Sequence, residues 1–304
     1  MLRRLWAFVI LTRPVFLFGG ALLYALGAAL ARAAGASIDG GRYALGQVLV
    51  TAIQAMTHYA NEYFDRESDR AIGANRTWFS GGSGVLPGGL LPARVALVAA
   101  LACAGIAVAA MGLAVFVEPS VSLIGAAALL GGWFYSAPPI RLASSGFGEA
   151  SAAVIVSMFV PLTALSAQGM SVNMLFLSVS APLVGVSLAM QIAFEFPDFE
   201  ADRTAGKRTL TVRLGRRRAA RLHVGLIVSA FAVVLGALAA DWIAVSQAAW
   251  LLLPAPLALW QIGVVFRQVH HVQSHHRLMT TGAVGLFALS SAAALAGILL
   301  RSAA

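Results

Sequence analysis

One cysteine, one lysine and twelve acidic residues are all that this chain of 304 residues holds of those three kinds. The lone Cys103 sits inside an apolar run, which excludes an internal disulfide and any cysteine-rich metal site. Charged residues make up only 11% of the chain against 60% hydrophobic ones, and the mean hydropathy is +0.84, outside the range of soluble domains. No polar stretch is long enough for a separate soluble domain, so residues 1–304 read as one unit. A separate basic domain is missing too, so the net charge of +9 does not point to nucleic acid.

What is present is a series of apolar runs of about 20 residues, each able to cross a hydrocarbon core about 30 Å thick. Nine spans are expected: 14–31, 44–65, 93–116, 119–137, 149–167, 173–196, 219–239, 243–266 and 278–300. The runs lack the alternation of a membrane barrel, and open backbone in lipid would leave polar groups unpaired. The expected fold is therefore all-α: a polytopic membrane helical bundle of nine transmembrane helices, with a central cavity open to the cytoplasmic side. The first run imitates a cleavable signal peptide, but Arg13 and Pro14 interrupt it and a full span follows, so it is kept as a membrane helix.

With the N-terminus in the cytoplasm, 18 of the 21 basic residues lie on the cytoplasmic side, leaving Arg32, Arg42 and Arg301 outside. The expected location is an integral membrane protein of a bacterial or archaeal cell membrane, surrounded by membrane lipid. Nine of the twelve acids gather at the same face, with Asp39, Glu118 and Asp241 as the exceptions. Both signs collecting there, in so uncharged a chain, points to a site.

Two helices carry polar residues inward from that face. On the second span Gln47, Thr51, Gln54, His58, Asn61 and Asp65 fall on one helical stripe, and Asp69 extends it. On the sixth, Ser187, Gln191, Glu195, Asp198 and Asp202 repeat the pattern. Such stripes normally face a bundle interior or cavity; interhelical hydrogen bonding accounts for the Gln and Thr residues as well. Pro197 precedes Asp198, and a break or restart of the helix is expected there, with Asp198 on a short loop helix.

Asp65 beside Asp69, and Asp198 beside Asp202, are like charges one turn apart, each pair destabilising by about 0.2–0.5 kcal/mol. A divalent cation would remove that cost. The ligand set is oxygen only, which suits Mg²⁺ held by one or two carboxylates, waters and substrate phosphate oxygens. Solvated acids paired with Arg66, Arg70 and Arg203 are the alternative.

The run Asn61–Asp69, N-E-Y-F-D-R-E-S-D, resembles the first Asp-rich motif of the UbiA superfamily of intramembrane prenyltransferases, and Pro197–Gly215, P-D-F-E-A-D-R-T-A-G-K-R-T-L-T-V-R-L-G, resembles its second. Tyr135–Glu149, with Y-S-A-P-P-I-R-L and then G-F-G-E, is most similar to the branch that prenylates dihydroxynaphthoate for menaquinone. The resemblance implies that Asn61, Asp65, Asp69, Asp198 and Asp202 hold Mg²⁺ and an isoprenyl diphosphate, with the four aspartates as the catalytic set. It departs from the family at Glu62, where an Asp is usual, and at Pro139, which occupies the Lys position of a Tyr-x-x-x-Lys element begun by Tyr135. Arg141 is the substitute offered there.

Further diphosphate contacts are expected from Arg66, Arg208 and the sole lysine, Lys207; an inside-positive anchor is the other reading of Lys207. The Gly-rich loop Ser80–Gly89 reads as a flexible linker, with a phosphate cradle or lid as the alternative. His270, His271, His275 and His276 include zinc-compatible spacings but read as a solvated loop.

The expected function is Mg²⁺-dependent transfer of an isoprenyl group from its diphosphate to an aromatic acceptor, with Glu62, Glu149 and Glu195 as candidates for taking the ring proton. Oligomeric state is not legible. The alternatives are a related terpene cyclase, a prenyltransferase with a different acceptor, and an ion-coupled transporter, which would keep its acids at the midplane. A phosphatidyltransferase would need a D-G-x-x-A-R stretch that the chain lacks.

Overall fold

The computed structural model describes residues 2–73, 76–270 and 276–301. Thirteen α-helices follow one another: α1 (Leu2–Leu11), α2 (Pro14–Ala33), α3 (Gly40–Ile72), α4 (Ala93–Ala114), α5 (Pro119–Ser136), α6 (Gly148–Val154), α7 (Val160–Ala167), α8 (Met174–Thr204), α9 (Leu210–Leu214), α10 (Arg216–Ala239), α11 (Val245–Leu252), α12 (Ala255–His270) and α13 (His276–Arg301). No strand occurs among the described residues. A π-helical turn, Ile155–Phe159, joins α6 to α7 in one rod.

Local chemistry sets several starts. Asp39 caps α3 by accepting the N–H of Arg42, Asn173 caps α8 by accepting that of Phe176, and prolines open α2 and α5, where a missing N–H costs nothing. Among the described residues seven rods are long and apolar enough to cross a membrane: α2, α4, α6 with α7, α8, α10, α11 with α12, and α13. Many large apolar side chains, Phe18, Val98, Leu123, Val228 and Leu259 among them, face outward. That is the inverse of a soluble surface, and the protein is an integral membrane protein. The other two expected spans are helical as well: α3, which carries the polar stripe, and the 18-residue α5.

The bundle has two packing groups. α3 packs on α4 and α5, while α8 packs on α10, α13 and α6. The apolar core around Leu23, Leu165, Phe176 and Ile192 belongs to the second group; the cores around Leu49 with Met56, and around Leu11 with Tyr59, belong to the first. α2 joins the two by packing against both α3 and α13, and it also packs against α7, where a Cβ on Gly27 would lie 2.0 Å from the Pro161 carbonyl oxygen. Only glycine lets those backbones approach so closely. The two acid-bearing helices thus come from different halves.

One expectation needs correction. α8 runs unbroken through Pro182 and Pro197, so Asp198 lies on the long helix and not on a separate short one. Proline removes one backbone bond, but neighbouring helices keep such helices intact in membranes. Before the first span stands an extra helix, α1, separated from α2 by Arg13 in left-handed conformation (φ 52°). The His cluster lies outside the described residues apart from the α12 position of His270 and a buried His276.

Candidate active site

The last turns of α3 present Asn61, Glu62, Asp65 and Asp69, and the last turns of α8 present Asp198 and Asp202. The Asn61 amide nitrogen donates to Asp65 Oδ2 at 2.5 Å and to Ser136 Oγ at 3.0 Å, and Ser136 Oγ donates to the same Asp65 oxygen at 2.8 Å. Ser136 ends α5, so this triangle fixes Asp65 from two helices. The other Asp65 oxygen, Oδ1, stands 3.5 Å from Lys207 Nζ, and Asp202 Oδ1 stands 3.5 Å from the same nitrogen. The two motifs meet on the chain's only lysine. Burial by itself would lower the Lys207 pKa, but Asp65, Asp202 and Asp69 outweigh it and raise the pKa above the ordinary value, so the group is a cation.

Asp69 is buried, and among the described residues its Oδ2 has no partner; Asp198 Oδ1 is likewise buried and without one. The two carboxylates are near enough for each to feel the other's charge. Among the described residues no three His, Cys, Asp or Glu side chains stand together as a ready cage for a metal ion. The structure brings Asp65 and Asp202 together on Lys207, which lies between them, and does not gather all five expected ligands into one cluster. Orphaned carboxylate oxygens on both motifs nevertheless fit Mg²⁺, which binds through few protein oxygens and completes its shell with water and phosphate.

Glu62 is fully engaged elsewhere. The Arg13 guanidinium grips its Oε1 through Nε (3.0 Å) and Nη2, while Ser83 donates its backbone N–H to Oε1 at 2.6 Å and its hydroxyl to Oε2 at 2.7 Å. The longer acid at the family's Asp position reaches back to the turn before α2 and across to the Gly-rich loop. Glu149 and Glu195, the other two candidate proton acceptors, accept the backbone N–H groups of Leu210 (2.6 Å) and Thr211 (2.9 Å).

The Gly-rich loop packs against the site instead of forming a free linker. Thr77 Oγ1 accepts the N–H groups of Phe79 and Ser80, Ser83 is tied to Glu62, and the Ser80 hydroxyl faces Asp198. Gly82 has φ +70°, and a Cβ on it would lie 2.2 Å from Asp69 Oδ2. Only glycine allows that approach. One turn inward from the carboxylates, Phe16, Phe79, Phe194 and His58 pack ring to ring at centroid distances of 5.8–6.4 Å.

The remaining expected contacts are scattered. Tyr135 lies among Glu149, Glu195 and Asp65. Arg66 donates to the Tyr63 carbonyl and to Glu67, and stacks on the Tyr63 ring, all on its own helix. Arg141 and Arg208 are exposed, the latter giving its backbone N–H to Ser144. Arg13, Ser83 and Ser136 escaped the sequence reading because no spacing connects them to the stripes. The available signals were Ser136's place in the Y-S-A-P-P run and Ser83's in the Gly-rich loop.

The model of the UbiA prenyltransferase family matches residues 21–290, nearly the whole chain. The chain belongs to the UbiA prenyltransferase family. Among curated relatives, the 1,4-dihydroxy-2-naphthoate octaprenyltransferase of Mycobacterium tuberculosis (strain H37Rv) is 29% identical over 225 residues, 73% of each chain. The protein of that name from Bacillus subtilis (strain 168) is 28% identical over 183 residues, 60% of this chain; the match spans little more than half of the relative, 56%. A UbiA homologue from Archaeoglobus fulgidus bound to GPP and Mg²⁺ shares the fold with a TM-score of 0.63 at 18% identity, over 96% of this UbiA chain and 99% of that one. An apo UbiA homologue from Aeropyrum pernix K1 aligns with a TM-score of 0.61, also at 18% identity, over 93% and 97%.

Proposed function

We propose that this UbiA-family protein catalyses Mg²⁺-dependent transfer of an isoprenyl group from an isoprenyl diphosphate to an aromatic acceptor of the dihydroxynaphthoate type, releasing diphosphate within the membrane. The observation that carries this reading is the meeting of Asp65 and Asp202 on Lys207, flanked by the orphaned oxygens of Asp69 and Asp198. Mycobacterial and bacillar relatives named as naphthoate octaprenyltransferases, and a fold neighbour solved with GPP and Mg²⁺, support it.

Asn61, Asp65, Asp69, Asp198 and Asp202 would hold Mg²⁺, which when bound supplies positive charge to the diphosphate. Lys207 adds a fixed ammonium at the same place, so charge developing on the leaving diphosphate meets preorganised partners. The apolar helices and the aromatic rings below the carboxylates exclude water, which would otherwise quench the allylic cation. The isoprenyl tail enters from lipid, each buried CH₂ contributing about 0.8 kcal/mol.

Nine spans in one domain, with the N-terminus and the mouth of a central cavity in the cytoplasm, complete this reading; the supporting feature is the basic excess on that side. The test is mass spectrometry of products from membranes given several isoprenyl diphosphates with a naphthoate, a benzoate or no acceptor. A prenylated naphthoate that disappears with EDTA and returns with Mg²⁺ is expected. Metal-independent product would overturn the mechanism, and a cyclised isoprenoid formed without acceptor would make the protein a cyclase.

A further inference from the structure

Lys207 stands on a short connection between α8 and α9, the sort of segment that would ordinarily leave a long side chain poorly placed. Here nearly every backbone donor around it is spoken for. The Lys207 N–H returns to the Asp202 carbonyl at 2.9 Å, and the Arg208 N–H goes to the Ser144 carbonyl at 2.9 Å. The first turn of α9 would leave its N–H groups unpaired in a buried setting. Three side chains from three places take them: Glu149 of α6 accepts from Leu210, Glu195 of α8 from Thr211, and the Thr209 hydroxyl from Val212 at 3.3 Å.

Glu149 is buried, and Glu195 is its neighbour, so two acids are set side by side in an apolar bundle. Carboxylates in such a place are costly unless hydrogen-bonded. Their backbone partners begin three residues after Lys207, and the other end of the connection is fixed at Asp202. The connection is thus gripped on both sides of the lysine, by groups that do not touch its ammonium.

We infer that Glu149 and Glu195 are positioning residues: by holding the start of α9 they aim Lys207 at the gap between Asp65 and Asp202. This rests on the diphosphate role proposed for Lys207. It gives the G-F-G-E run a task in binding the leaving group, and separates these two acids from a part in proton removal. A Gln at either position keeps an oxygen that accepts the backbone N–H, whereas Ala does not. A proline at position 210 removes the donor alone; it suits the first position of a helix, and Thr209 already has the extended conformation (φ −56°, ψ 162°) that a following proline needs.

The experiment uses the full chain in detergent or nanodiscs. It measures kcat and KM for diphosphate release and, separately, the affinity for inorganic diphosphate with Mg²⁺ by calorimetry. Glu149→Ala, Glu195→Ala and Leu210→Pro should each weaken diphosphate affinity and kcat/KM by roughly 10- to 100-fold, the scale of a misplaced charged group. Glu149→Gln and Glu195→Gln should restore most of it. In a Lys207→Ala background the alanine changes should add less than about twofold, since residues acting through one group are not additive. Gln variants as inactive as Ala, with diphosphate affinity unchanged, would overturn the inference and make the carboxyl a proton acceptor. An undiminished Glu149→Ala effect in the Lys207→Ala background would overturn it equally. Lys207→Ala with unaltered affinity and turnover would instead remove the diphosphate role of the lysine. If an alanine variant does not fold, Leu210→Pro and the Gln pair carry the same decision.

Discussion

The two acidic motifs have the same spacing and very different surroundings. Around the first, most polar atoms are bonded, Asp69 Oδ2 being the exception: Asn61 and Ser136 hold one oxygen of Asp65, and Arg13 with Ser83 saturates Glu62. Around the second, among the described residues, Asp202 has only Lys207 as an ion-pair partner, and Asp198 keeps a buried oxygen with no partner. Hydrogen-bonded networks in a low-dielectric interior rigidify a structure, while unpaired buried groups cost stability. The first motif is therefore part of the framework as well as of the site. The second has fewer such bonds and contributes less to the framework.

The largest effect that would test this difference is on activity. Asp65→Ala and Asp198→Ala should both abolish diphosphate release, but only the first should also lower thermal stability. Asp198→Asn should leave the metal-free protein as stable as wild type or more so. Full activity in either alanine variant would break the site assignment, and equal losses of Tm would break the contrast. Next comes Glu62→Gln, which leaves the half-buried Arg13 cation against a neutral amide; loss of one partner of a fully buried pair costs about 3–5 kcal/mol, and the partial exposure of Arg13 brings the cost below that. It should appear as a large fall in Tm in nanodiscs, and an unchanged Tm would mean that the α2 turn and the loop do not depend on this pair.

Gly82→Ala places a methyl against Asp69 and strains a left-handed backbone, at a cost of about 1–2 kcal/mol before the clash is counted. Diphosphate affinity should fall, because the loop must move off the carboxylate. Smallest is Ser136→Ala, which removes one donor to Asp65. About 1 kcal/mol of stability should go, with roughly a tenfold loss of activity if the triangle acts as an outer shell of the cation site. A loss as deep as that of Asp65→Ala would promote Ser136 from support to direct contact with substrate.

The helical segments were legible because apolar runs of span length admit little else, and the acid stripes because i, i+4 spacing puts side chains on one face of any helix. Asp65 with Asp69, and Asp198 with Asp202, needed no tertiary information beyond that. Pro197 misled, since a local rule about proline does not include the neighbouring helices that carry α8 past it. The loop Ser80–Gly89 misled for the same kind of reason: glycine content signals freedom in an isolated chain, yet at Gly82 it permits contact with Asp69.

What the sequence determined by itself was the solvent of this protein and the composition of its candidate site: hydropathy and length follow from side-chain chemistry alone, and so does the oxygen-only character of the donor set. Only the tertiary structure decided which groups meet. Arg13 reaches Glu62 across 49 residues, Ser136 reaches Asp65 across 71, and Lys207 reaches Asp65 from the end of another helix. Such pairings are set by how two packing groups of helices close on each other, and no periodicity along the chain records that.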